Sequence, residues 1–196
     1  MTRNPSNDIL DAAAELAEAG GFDKVRLRDV AKRANVALAT LYKRFPSKEA
    51  LLAAEIARSS QLLEHELREH PPAGDTPAAR LAAFFSIATR RMTDKPGYGR
   101  AVVRAMASGP DSARQVVAHQ GFMLSMVLAA HRGIATLTPA EMAVHPLSEQ
   151  EQMLAFLLLQ VWFACMVGWS AGLNDPKGVD AQMRRAIDVV LRGTAR

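Results

Sequence analysis

The chain has 196 residues, 49% of them hydrophobic but only 6% aromatic, with 24 Lys and Arg against 20 Asp and Glu. Its core must therefore be built from Ala, Leu, Val and Met, mostly good helix formers, while runs of β-branched residues are nearly absent, which excludes an extensive sheet and predicts an all-α protein. The one cysteine, Cys165, excludes an intrachain disulfide and a multi-cysteine zinc site; it lies in an apolar run and reads as a small buried hydrophobe.

Asn4-Pro5 suits an N-cap followed by proline in the first turn. The helix it opens runs to about Ala19, with Ile9, Ala13, Leu16 and Ala17 at helical spacing, and Gly20-Gly21 ends it. Leu27, Val30, Ala31 and Ala34 mark a second, short helix, and Asn35 suits the left-handed residue that stops it. Leu38, Leu41 and Phe45 mark a third. Ser47 caps a fourth, which runs to about His70.

"HPPAGDTPAAR" is the clearest boundary. It divides a small N-terminal domain, residues 1–52 with a connecting helix to about 70, from a larger helical domain, residues 71–196. Further helices are expected near Thr76–Thr93, Gly99–Ala107, Ser112–His131, Ser148–Gly172 and Pro176–Leu191. Gly133 to Leu147 reads as a long loop with one turn near Ala140.

The run "MLAFLLLQVWFACMVGWSA", Met153 to Ala171, has the length of a membrane span. It lacks a flanking Lys/Arg cluster, and the rest of the chain reads as soluble. A helix apolar all round is equally one covered by its own domain on one side and by a partner subunit on the other. That reading is preferred, so no membrane partner is expected. The first residues carry no apolar signal-peptide core, and cytoplasmic residence is expected.

The charge is unevenly spread. Residues 1–70 carry eleven basic and eleven acidic side chains, but between Phe22 and Lys48 eight basic residues face only Asp23 and Asp29. Such a cluster suits phosphate, although a solvated basic face would look the same. The two short helices at Leu27–Ala34 and Leu38–Phe45, joined by a three-residue turn, form a helix-turn-helix candidate. Val30, Ala31, Val36, Leu41 and Phe45 can close a small core against Ile9, Leu16 and Phe22. The opposite face then presents Ala39, Thr40, Lys43 and Arg44, with Tyr42 near its edge. Small residues let a helix seat deeply in a major groove. Thr40 and Tyr42 suit phosphates, Lys43 and Arg44 phosphates or guanine edges, and Lys48 adds a charge at the start of the next helix.

"LRDVAKRANVALATLYKRFPSKEALL" resembles the DNA-binding signature of TetR-type transcriptional regulators, closely from about Ile9 to Leu52. The resemblance implies an N-terminal three-helix DNA-binding domain and a C-terminal ligand-binding and dimerisation domain. It also implies a homodimer on a palindromic double-stranded DNA operator, a repressor released by a small molecule. Matched by position, Ala39, Thr40, Tyr42, Lys43, Arg44 and Lys48 fall where such regulators touch DNA, and Arg28 lies on the supporting helix. Arg26 and Ala37 depart from the pattern, standing where the family commonly has capping Ser or Thr, and Asn35 replaces a common Gly. Both short helices are therefore expected to lack a capping side chain.

The two last long helices are the expected dimer interface, paired across a two-fold axis as a four-helix bundle. Val179, Met183, Ile187 and Val190 supply a matching stripe; intrachain core is the alternative. The Met and aromatic supply (Phe84, Phe85, Met106, Phe122, Met123, Met126, Trp162, Phe163, Met166, Trp169) can line an adaptable apolar cavity, although each residue alone suits ordinary core. Val161-Trp162, Trp169 and "ALATLYKRFPSK" are similar to the sterol-catabolism repressors of the family. That similarity implies a hydrophobic effector, a steroid or a fatty-acyl group, with Arg100 or Arg104 available to the charged part of a CoA thioester.

Catalysis is not expected. The five histidines form no HExxH and no Glu-x-x-His pair, and the chain has no P-loop or dinucleotide fingerprint, so no catalytic residue, metal or cofactor is implied. The rival reading is a ligand-independent, architectural DNA-binding protein with a filled C-terminal core.

Overall fold

The computed structural model describes residues 5–107 and 113–194. The described residues form ten helices and no strand. They are α1 (Pro5–Lys24), α2 (Leu27–Arg33), α3 (Leu38–Arg44), α4 (Lys48–Glu69), α5 (Pro77–Thr93), α6 (Pro96–Met106), α7 (Ala113–Arg132), α8 (Pro139–Val144), α9 (Glu149–Ser170) and α10 (Pro176–Thr194). The helix starts expected at Asn4 and Ser112 lie outside the described residues.

The differences from expectation have local causes. α6 begins at Pro96 rather than Gly99, because proline is at home in a first turn, where its missing N–H has no helical partner to lose. The one turn expected near Ala140 is α8, started by a capping box in which Thr138 and Glu141 bind each other's backbone amides. Gly20 and Gly21 break α1 as expected, Gly21 at φ 69 in the left-handed region.

The chain packs as two compact units, Met1–Ser59 with Met92–His119, and Ser60–Arg91 with Gln120–Arg196. α4 gives its first turns to one unit and its last to the other, and α6 belongs with the first unit.

In the first unit Ile9, Leu10, Ala13 and Ala17 of α1 pack with Val30, Ala31, Leu41, Leu51, Leu52 and Ile56, all buried, and Leu16, Phe22, Val36 and Phe45 close its edges. α6 adds Tyr98, Ala101, Val102 and Ala105 to the same core. α6 can approach α1 because position 97 is glycine: a Cβ there would collide with the Glu18 carbonyl. The Glu18 carboxylate in turn accepts from the Tyr98 amide at 2.8 Å. Glu55 is buried beside Arg58, whose guanidinium binds Glu55 at 2.8 Å and Asp11 at 2.7 Å. Burial pushes the Glu55 carboxyl above its usual range while Arg58 pulls it back.

The second unit is centred on Phe84 and Phe85, packed edge to face at 5.0 Å, with Trp162 6.2 Å from Phe85. The buried Trp162 indole N–H donates to the Thr89 hydroxyl at 3.0 Å, which satisfies both groups away from water. Arg80 donates to the carbonyls of Ala130 and His131, capping the end of α7. α9 buries Leu154, Leu158, Trp162, Met166 and Trp169, and α10 buries Val179, Met183 and Ile187. α9 is long and apolar enough to cross a membrane, but it opens with a capping box, Ser148 with Glu151, and packs one face into its own unit.

Candidate nucleic-acid interface

α2 and α3 are held by a turn that the sequence specifies locally. Asn35 takes the left-handed conformation at φ 54, and the Val36 amide donates to the Ala31 carbonyl at 3.0 Å. Arg26 and Ala37 stand at the two N-caps in extended conformation, and neither makes a side-chain cap. Ser47 does cap α4, accepting from the Ala50 amide at 3.0 Å.

α3 has two faces. Leu41 is wholly buried, whereas Tyr42 is half exposed, at 50%, and Ala39, Thr40, Lys43 and Arg44 are exposed. Five of the seven predicted contact residues therefore share the outer side of one helix. Arg28 comes from α2, where it rims an open cleft of about 310 Å³ with Arg26, Leu27, Asp29, Leu38 and Tyr42. Arg26 is not among the expected contact residues; its charge is plain in the sequence, but its approach to Tyr42 depends on how α2 crosses α3. Arg44 also meets the Ser6 hydroxyl, which aims its guanidinium. Arg33 is turned to Glu15 of α1 at 2.5 Å and is not part of this face.

Lys48 has a second role that its sequence position did not indicate. Its ammonium lies 3.7 Å from the centroid of the Phe22 ring, a cation–π contact that restrains a long side chain. The Arg104 guanidinium lies 5.0 Å from the same ring and pairs with Asp23 at 2.6 Å.

Arg104, expected near the charged part of an effector, sits in the first unit, exposed and paired with Asp23 at 2.6 Å. Met106 belongs to the first unit too, half-buried against its core. The other predicted effector residues are in the second unit. Phe85, Met123, Met126, Trp162, Met166 and Trp169 are buried, and Phe122 is half-buried. Met126 lines a cleft with Glu64, Leu67, Ser125, Ala129 and Thr136 whose free volume is about 10 Å³, room for roughly one water. No cluster of metal-ligating side chains occurs among the described residues.

Residues 9–54 match the family described as "Bacterial regulatory proteins, tetR family". The chain is 32% identical over 183 residues to the "HTH-type transcriptional repressor KstR" of Mycolicibacterium smegmatis, covering 93% of this chain and 85% of the relative. Its fold matches a TetR transcriptional regulator from Rhodococcus sp. RHA1 with a TM-score of 0.82, at 24% identity and 95% of each chain. It also matches Thermus thermophilus FadR, a TetR-family repressor solved with lauroyl-CoA, with a TM-score of 0.72, at 19% identity over 96% of this chain and 94% of that one. The two-faced α3, the basic cleft beside it and a relative that matches nearly end to end agree with one another: the chain belongs to the tetR family of bacterial regulatory proteins and is a DNA-binding transcriptional repressor rather than an enzyme.

Proposed function

We propose that this repressor is a cytoplasmic homodimer that binds a palindromic operator through residues 1–52 and leaves it when a hydrophobic small molecule occupies the C-terminal part, residues 71–196. The observation that carries the DNA half is the division of α3 between a buried Leu41 and an exposed row of Thr40, Tyr42, Lys43 and Arg44. On this reading Ala39 allows close approach to the groove floor. Thr40, Tyr42 and Lys48 hold phosphates, Lys43 and Arg44 reach phosphates or guanine edges, and Arg28 steadies the complex from α2. In the dimer the two α3 helices sit roughly 34–36 Å apart, one turn of DNA.

The effector half is supported by the apolar Phe85, Trp162, Met166 and Trp169 cluster, by the likeness to sterol-catabolism repressors and by the lauroyl-CoA of the FadR relative. A steroid or a fatty-acyl group, free or as its CoA thioester, is the proposed class.

The test begins with selection of bound DNA from a random pool. The selected fragment is then competed with steroids, fatty acids and acyl-CoAs. A palindromic consensus and release by one of these classes are expected. Binding that none of them alters would instead favour the architectural alternative. Tyr42→Ala and Lys48→Ala should each weaken binding across sequences, and unchanged affinity at moderate salt would refute their assigned roles.

A further inference from the structure

We infer that Arg104 of α6 is an additional contact to the DNA backbone, lying outside the helix-turn-helix and acting with Lys48; this rests on the DNA-binding role proposed above. The motif ends near residue 54, and nothing in the linear sequence connects it to a residue fifty positions on. The fold makes the connection through Phe22. One ring carries the Lys48 ammonium at 3.7 Å and the Arg104 guanidinium at 5.0 Å, so two cations from different helices lie against the same side chain. α6 is fixed there by its own packing, through Gly97 against the Glu18 carbonyl and the Tyr98 amide on the Glu18 carboxylate at 2.8 Å.

Two cations against one side chain raise the local positive potential, which an anion relieves. Asp23 supplies one charge, at 2.6 Å from Arg104, and leaves the group of three net positive. That pair is open to water: the side chains of Arg104 and Asp23 are 58% and 71% exposed. An ion pair so exposed is weak and is traded cheaply for another anion. A phosphate presents several oxygens in a geometry that the planar guanidinium matches, and it would complete the neutralisation that one carboxylate leaves unfinished. Lys48 is at the start of α4, on the side where the operator backbone is proposed to pass. The same backbone segment is then within reach of Arg104.

The consequence is functional. Arg104 lies two helices beyond the motif, so a displacement of α6 would withdraw a phosphate contact directly, without distorting α3.

The experiment measures affinity for the selected fragment by fluorescence anisotropy from about 50 to about 200 mM salt, for the wild type, Arg104→Gln and Arg104→Lys. A phosphate contact predicts that Arg104→Gln binds several-fold more weakly to specific and random DNA alike, and that its log K against log salt slope falls by about 0.9. Arg104→Lys, which keeps the charge, should recover the slope. Unchanged affinity and slope in Arg104→Gln overturn the inference, as does weaker binding with an unaltered slope, which marks a purely structural role. Wild-type protein that binds no DNA fails the proposed function itself, and the two failures are therefore distinct.

Discussion

Glu151 shows how much of this protein's chemistry is decided at single side chains. It accepts from Arg132 at 2.7 and 2.9 Å and from the Ser148 amide at 2.9 Å, so one carboxylate caps α9 and ties it to the end of α7. The Arg132 hydrogen bonds, helped by Ser148 and opposed by desolvation, hold its carboxyl down at about 2, against an ordinary 4.5. A carboxyl lowered in the folded state stabilises the fold fully above its unfolded value and loses that contribution as the pH falls toward the folded one. The wild type should therefore lose stability between about pH 4.5 and 2. Glu151→Gln, which does not titrate, should be less stable at neutral pH and lose less over that window. Urea unfolding at several pH values checks this; parallel acid profiles would refute it. At the same scale, the exposed residues of α3 could be read in advance. Tyr42, Lys43 and Arg44 were legible because Leu38, Leu41 and Phe45 fix which side of a short helix is buried. Lys48 was legible as a charge but not as a partner of Phe22, since that contact joins two helices.

The helices were legible as elements because periodicity, prolines and caps are local. Even α8, expected only as one turn near Ala140, carried a readable signal, the Thr138 and Glu141 pair three residues apart. α2 and α3 are the exceptions to good capping, with Arg26 and Ala37 at their N-caps. Ala37 already has the extended backbone of a capping residue, φ −63 and ψ 137, and lacks only the acceptor oxygen. Ala37→Ser should therefore stabilise the protein by about 1 kcal/mol, read from the denaturation midpoint. It should also slow hydrogen exchange at the first amides of α3. No gain would mean that contacts from the neighbouring helices, rather than its own cap, set the stability of α3. A seven-residue helix is too short to stand alone, and here the buried Leu41 and the core of α1 and α4 brace it.

At the scale of the whole molecule the outward face of α9 matters most. Met153, Phe156, Leu157 and Val167 are between 41% and 53% exposed, and Gln160 and Ala164 continue the same stripe. An apolar row of this length on a soluble protein marks an interaction surface. With the inward face of α9 buried by its own unit, the outward one is the proposed half of a two-fold four-helix bundle with α10. Phe156→Glu would bury a charge at that interface and should give a monomer in sedimentation at micromolar concentration. The monomer should also bind the operator far more weakly, because each half-site then binds alone. A dimer that survives the substitution would move the interface elsewhere.

By itself the sequence determined the all-helical class, the helix-turn-helix and the outward face of α3, because each is written in short-range spacing, and the resemblance of one contiguous segment pointed to the family. Hydrophobic period, turn residues and a contiguous motif need no knowledge of what lies across the fold. Only the tertiary structure decided that α4 shares its residues between two compact units and that α6 joins α1. It also brought Arg104 and Lys48 to the same Phe22 ring. The physical reason is the same in each case. These arrangements depend on a glycine that admits a neighbouring backbone, and on charges drawn together across many residues, and neither has a signature in local spacing.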